Sequence, residues 1–341
     1  MMATSFEQPT RQRIVPGVGP KDAKIVIVGE APGSYENANL KPFVGPAGGV
    51  LEQCLHAASI IRSECYMTNV VKVQPKGNLI DPFFTATGKF TSLGMEWVER
   101  LYEELNELQP NIIVACGNVA FAATAGYSKV LKLRGYLFEP VEYLRNCVAK
   151  VLPTIHPSAA LRGNYIYRHL IAADLKKAKQ ESLTHELIRP ERQLVYEFNG
   201  VDEVLEWLKY FEEAPIVSFD IEVLNYELAC IAFSSEPIIS CSVPLTGHWS
   251  LEDEALIWRG IQRVLGNPRS VKVAQNAIFD IQFLLSRCGI TVAGPIHDTM
   301  IAHSCMYPEL QKGLGFLGSI YCGSQEYWKD IVKFSNIKEE S

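Results

Sequence analysis

The chain of 341 residues has no cysteine before Cys54, and none of its nine cysteines forms a C-x-x-C pair. That excludes a disulfide framework or a zinc module and is the usage of a reducing compartment. No apolar run reaches about 18 residues and no secretory leader is recognisable, so a cytoplasmic protein with no membrane partner is expected. Basic charge is not in excess: 32 Lys and Arg stand against 38 Asp and Glu, a net charge of −6. No general basic surface advertises nucleic acid, although a local groove can be positive while the rest is acidic. Internal repeats and low-complexity tracts are lacking too. What is plentiful is apolar residue, 48% of the chain, over a length that suggests two domains with real cores.

The stretch around which the first half is organised runs from Gly29-Glu30-Ala31-Pro32-Gly33 through Glu36 to Pro42-Phe43-Val44-Gly45-Pro46-Ala47-Gly48-Gly49. It follows the apolar run Ile25–Val28, which reads as a strand buried on both faces, and precedes the helical spacing Val50, Leu51, Cys54, Leu55, Ala58. So long a connection inside a compact domain is more often functional than idle, and its glycines let backbone N–H groups approach a ligand. Further strands are expected at Cys65–Val71, Asn111–Cys116 and Lys150–Ile155. Between them the sequence predicts an irregular surface loop over Pro75–Gly94 and a helix carrying Met95, Val98, Leu101, Leu105 and Leu108. His156-Pro157-Ser158 is expected to cap a last helix. Strands alternating with helices predict a parallel sheet with helices on both faces, and ligands in such folds bind beyond the carboxyl ends of the strands. The glycine-rich loop, Asn69 and His156 all fall there.

The second half begins after a charged linker over residues 183–192. A helix (Val201, Val204, Leu205, Leu208, Phe211) leads to the strand Pro215–Glu222, with meander partners at Leu228–Phe233 and Ile238–Val243. A helix, the strand Val271–Ala274 and Asn276-x-x-Phe279-Asp280 follow, which together predict a mixed sheet. Asp220 and Glu222 lie two apart and therefore on one face, where two acids among apolar neighbours suit a cation.

Gly29-Glu30-Ala31-Pro32-Gly33-x-x-Glu36, Pro42-Phe43-Val44-Gly45-x-Ala47-Gly48, Thr68-Asn69-Val70-Val71-Lys72 and His156-Pro157-Ser158-Ala159-x-Leu161-Arg162 resemble the motifs of family 4 uracil-DNA glycosylases. The resemblance implies a flipped uracil stacked on Phe43, its edge read by Asn69, and its O2 met by His156 and backbone N–H groups of the loop that Gly29 opens. Glu30 or Glu36 would handle the water or the sugar cation, and Ser158, Arg162, Arg134, Lys132 and Lys129 would contact DNA. Taken singly, Phe43 reads as core, His156 as a helix cap and Asn69 as a turn former. The family's iron–sulfur cluster needs four cysteines that this chain lacks, Val73 standing about where the third belongs, so no cluster is expected. Leu40 occupies a position where the family has glycine.

Asp220-x-Glu222, Asn276-x-x-Phe279-Asp280 and His297-Asp298-Thr299 through Ile320-Tyr321 resemble the 3'-5' exonuclease domains of family A DNA polymerases, which have an RNase H-like mixed sheet. The resemblance implies that Asp220, Glu222 and Asp280 hold Mg2+ or Mn2+. The third exonuclease motif, Tyr-x-x-x-Asp, is not found; Tyr327-Trp328-Lys329-Asp330 has a different spacing. The expected organisation is a glycosylase-like domain (1–182), the linker, an incomplete exonuclease-like domain (193–330) and a tail (331–341). It corresponds to the N-terminal part of a phage-type polymerase in the host cytoplasm, truncated or split, with a polymerase fragment as partner and uracil-containing single-stranded or frayed DNA as substrate. The competing readings are a base-inspecting or DNA-holding module, and an unrelated nucleotide-binding α/β protein.

Overall fold

The computed structural model describes residues 13–322 apart from Arg145, Asn146, Val148, Pro190 and His248. Tyr327–Asp330 and the tail lie outside the described residues. The chain divides into two compact units: one runs to Ile188 and takes in the segment from Gly315 onward, and the other spans Arg189–Leu314. The first unit is thus discontinuous in sequence.

In the first unit, β1 (Ile25–Gly29), β2 (Tyr66–Asn69), β3 (Ile112–Cys116) and β4 (Lys150–Thr154) are buried at every position. Runs with no polar alternation can be satisfied only between two covering layers. All pairings are parallel, in the order β2-β1-β3-β4. The helices are α1 (Ser34–Asn39), α2 (Pro46–Ala57), α3 (Ser92–Leu108), α4 (Gly117–Ala125), α5 (Val130–Leu133) and α6 (Ile166–Glu181). Val26 and Val28 of β1 join Val98, Leu101 and Leu105 of α3 in one core, while α2 packs on α6 and α6 on β3 and β4.

Two expectations change here. The stretch Pro75–Gly94 is not simply a surface loop: Phe83 and Phe84 are buried, and Thr91 caps α3 by accepting the Gly94 N–H at 3.1 Å. The helix after His156 is two pieces, a 3-10 turn over Pro157–Leu161 and then α6, with Gly163 in the left-handed region between them (φ 91°). Near the start of the chain, Val15 N–H donates to Lys72 O (2.7 Å) and Val18 exchanges bonds with Met67. Val73 is buried with Val71 and Phe83, against which Ala31, Ile80 and Trp97 pack.

The second unit contains β5 (Gln193–Val195), α7 (Val201–Glu213), β6 (Ile216–Leu224), β7 (Glu227–Glu236), β8 (Ile239–Pro244) and α8 (Leu251–Gly266). It continues through β9 (Val271–Ala274), α9 (Ala277–Cys288), β10 (Ile296–Asp298) and α10 (Thr299–Met306). β6, β7 and β8 form the antiparallel meander, while β9, β10 and β5 add in parallel, giving a mixed sheet ordered β10-β9-β6-β7-β8-β5. Val204, Leu208 and Phe211 of α7 and Ile257, Ile261 and Val264 of α8 bury the helical stripes of both against it. A last helix, α11 (Leu314–Tyr321), lies from Gly315 onward in the first unit.

Candidate functional site

Because β1→β2 steps one way along the first sheet and β2→β3 steps back past β1, the topology reverses between β1 and β3. Such a reversal leaves a crevice at the carboxyl ends of the strands. A cavity of about 420 Å³ occupies that edge, and Glu30, Gly33, Glu36, Phe43, Asn69, His156, Ser158 and Arg162 line it. Gly29 and Asn69 are partners in the β1/β2 register. A Cβ on Gly29 would overlap Asn69 Oδ1 and come within 2.7 Å of Phe43 Cζ. Only a glycine lets the strand end pass beneath both side chains.

Phe43 is 6% exposed and has φ 53°, a conformation that a bulky residue keeps only when its surroundings impose it. The surroundings here are specific. Arg62 donates through Nη2 to Phe43 O (2.9 Å) and Pro42 O (3.3 Å), clamping the turn from outside. Glu36 closes it from within: Oε1 accepts from Val44 N (3.1 Å) and Gly45 N (2.7 Å), and Oε2 from Gly33 N (3.1 Å). The Phe43 ring stacks toward His156 at a centroid distance of 6.3 Å and an angle of 29°.

His156 Nδ1 accepts the Ser158 N–H at 3.2 Å and lies 2.8 Å from Ser158 Oγ. That bond leaves the proton of the neutral ring on Nε2. Burial, helped by the positive charge of Arg162, pushes the His156 pKa down to about 4, so the imidazole is neutral at physiological pH. Glu30, by contrast, has its pKa raised by burial, an effect Arg162 opposes. Among the described residues the Glu30 carboxylate has no hydrogen-bond partner, whereas Glu36 has three. The two acids are therefore different in kind. Glu36 shapes the loop, and Glu30 is open to the cavity.

In the second unit, Asp220 and Glu222 are exposed on the same face of β6, and a β-bulge follows Glu222. Asp280, on α9, is 4% exposed and accepts the Ile221 N–H at 3.1 Å. Its pKa is raised, first by burial and then by Asp298 and Glu222. Asp298 itself is occupied as a cap, Oδ1 accepting from Met300 N at 2.8 Å and Oδ2 from Ala277 N at 2.8 Å. Among the described residues no three His, Cys, Asp or Glu side chains come together closely enough to hold a metal ion. Asp280 accepts the N–H of Ile221, the residue between Asp220 and Glu222, so its carboxyl group lies beside the strand that carries both acids, near enough for Glu222 to help raise its pKa.

Residues 16–178 match the family model of the uracil DNA glycosylase superfamily, and residues 197–336 that of a 3'-5' exonuclease. The type-4 uracil-DNA glycosylase of Thermotoga maritima is 35% identical over 174 residues, covering 50% of this chain and 83% of that protein. The chain belongs to the uracil-DNA glycosylase superfamily. A DNA polymerase of Bacillus phage SP01 is 25% identical over 324 residues, 85% of this chain and 33% of the polymerase, so this chain spans about a third of that relative. Among solved structures, RNase D of Escherichia coli has a TM-score of 0.32 at 16% identity, covering 41% of this chain and 36% of that one, too distant to argue from.

The glycosylase unit thus brings Gly29, Glu30, Glu36, Phe43, Asn69, His156, Ser158 and Arg162 to one cavity edge. Three of the expected DNA contacts, Lys129, Lys132 and Arg134, do not line this cavity. Lys132, on the short α5, is exposed but does not line the cavity. Arg134 is 2% exposed and its guanidinium is bonded to Asp174 and Ser319, which corrects its expected role: no donor faces a phosphate. Sequence reasoning missed Pro75 and Asn78, which line the same cavity from the stretch read as a surface loop. It also missed Arg62, whose only sequence signal is a charge beside a buried strand. No helix among the described residues is long and apolar enough to cross a membrane.

Proposed function

We propose that the glycosylase unit excises uracil from DNA by hydrolysing its N-glycosidic bond. The observation that carries this reading is the meeting of Phe43, Asn69 and His156 on one cavity of about 420 Å³, room for one pyrimidine with its sugar. In this mechanism the flipped base stacks on Phe43, and the Asn69 amide pairs with its edge, a bidentate contact worth about 1–3 kcal/mol of discrimination. As the bond from C1' to the base nitrogen breaks, its electron pair leaves with uracil. The neutral His156 offers its Nε2–H to the oxygen where that charge grows. Water adds to C1', and the Glu30 carboxylate orients it and takes its proton. Glu30 is assigned this role because Glu36 is already saturated by three backbone N–H groups. Arg162, exposed and lining the cavity, would meet a flanking phosphate.

The test is a uracil-containing oligonucleotide treated with purified protein and then with alkali. Cleavage at the uracil position is expected; none at enzyme excess would overturn the proposal and leave a base-holding module.

The pH dependence follows from the two shifts. Glu30 acts ionised and its pKa is raised, so excision falls with decreasing pH through a value above the ordinary carboxylate range. His156, with a pKa of about 4, is still neutral there and adds nothing to that limb. A pH–rate profile under single turnover should lose the limb in Glu30→Gln. Stability responds separately. The unfolded chain protonates His156 at about 6.5, before the folded one does, so the contribution of the buried neutral ring is lost as pH falls from there through about 4. Arg62→Ala should raise KM about fivefold, the equivalent of one hydrogen bond, with kcat nearly kept, because it loosens the turn that presents Phe43. Steady-state kinetics on the same oligonucleotide check this.

For the second unit, the reading is an exonuclease-type fold that acts on DNA ends in the cytoplasm of a host cell. Its Mg2+ or Mn2+ site would be completed by a ligand beyond the described residues or by a polymerase fragment.

A further inference from the structure

Helix α11 follows the exonuclease-type unit in sequence but is built into the glycosylase unit. Leu317 and Ser319 are buried there. Tyr136 OH donates to Gly315 O, and Arg134 Nη1 donates to Ser319 Oγ at 3.1 Å. Lys177 Nζ donates to Ser319 O (2.9 Å), Cys322 O (2.8 Å) and Gly135 O (2.7 Å), placing its charge at the carboxyl end of α11, where the helix dipole favours a cation. Gly135, at φ 76°, admits the helix: a Cβ there would stand 2.7 Å from Ser319 O.

These contacts lead toward the site. Arg134 donates through Nε to Asp174 Oδ2 at 2.9 Å and through Nη2 to Oδ1. Asp174 Oδ2 also accepts from Thr154 Oγ1 at 2.7 Å. Thr154 ends β4, two residues before His156. The buried sequence Ser319, Arg134, Asp174, Thr154 therefore runs from α11 to the turn that presents the imidazole, with every side chain hydrogen-bonded to the next.

We infer that α11 is a positioning element for His156, so that the geometry of the glycosylase site depends on a segment encoded after the exonuclease-type unit. A helix that merely covered an apolar patch would need neither a guanidinium aimed at its one buried hydroxyl nor a lysine on its final carbonyls. The polar contacts of α11 are directional and lead to the end of β4, two residues before His156.

The catalytic part of this inference rests on the proposed excision activity; the conformational part does not, and the experiment separates them. Ser319→Ala and Lys177→Met are made in the full chain and followed by hydrogen exchange. Amides of Ile155, His156 and Ser158–Ala160 are expected to exchange about tenfold faster in both variants, with β6 and β7 unchanged. Uracil excision should lose about tenfold in kcat with KM nearly constant, and Ser319→Thr, which keeps the hydroxyl, should restore it. Should Lys177→Met fail to fold, the milder Ser319→Ala decides. Exchange at 155–160 equal to wild type in the folded variants overturns the inference, as does a lowered unfolding temperature with unaltered kcat. If the wild-type chain excises no uracil, the functional proposal fails and the exchange rates alone decide whether α11 positions His156.

Discussion

His156→Ala is expected to slow uracil release by about 10²–10³-fold, the loss typical of removing one donor from a site of developing negative charge. The effect should fall on the rate under single turnover and far less on DNA binding, since Phe43 and Asn69 still hold the base. Part of the substitution's cost is structural. His156 Nδ1 caps the turn by accepting the Ser158 N–H, and losing such a cap costs about 1 kcal/mol. That is too little to unfold the unit, so circular dichroism should remain native while the rate collapses. Ser158→Ala is the control: it removes the Oγ contact and leaves the ring in place, so a loss as large as that of His156→Ala would move the catalytic role away from the imidazole. Asn69→Ala should act differently, reducing discrimination between uracil and cytosine together with the rate, because the side chain reads an edge rather than stabilising a charge.

Asp174→Asn is expected to destabilise the glycosylase unit by about 3–5 kcal/mol, as removal of one member of a buried ion pair does. Both side chains are almost wholly enclosed, 2% exposed for Arg134 and 1% for Asp174. With the carboxylate gone, the guanidinium stays in the interior without its counter-charge. Urea denaturation gives the measure: the midpoint should fall sharply with the slope unchanged. The double substitution Arg134→Met with Asp174→Leu should cost less than Asp174→Asn alone, because no uncompensated charge is left inside. A double variant as unstable as the sum of the singles would mean that the pair contributes through packing alone.

Much of the fold could be read from the letters. Ile25–Val28 and Ile112–Cys116 are apolar without interruption, and that pattern admits few arrangements other than a doubly covered parallel strand. The meander β6–β7–β8 was equally legible, because alternation along Ile216–Leu224 fixes which face is wet. The glycine-rich loop, Asn69 and His156 were legible because they fall at or just after the ends of apolar runs, where such folds keep their ligands, and Phe43 because the loop's motif resembles that of the glycosylases. What escaped detection depends on contacts distant in sequence. Arg134 resembles any loop arginine until Asp174, 40 residues later, turns it inward. Glu30 and Glu36 are equivalent as letters and differ only in how many backbone N–H groups reach them. Asp220, Glu222 and Asp280 have the right types and order, but the bond from Ile221 N–H that seats Asp280 beside β6 is not visible in the letters.

The return of the chain at Gly315 also bears on biosynthesis. Arg134 meets Ser319 across 185 residues of sequence, and Lys177 meets Cys322 across 145. A ribosome releasing this polypeptide from its amino end exposes both cations well before Ser319 and Cys322 emerge. The amino-terminal unit therefore cannot finish folding as a free-standing nascent module in the usual order; its last step waits until the translation product has passed Cys322.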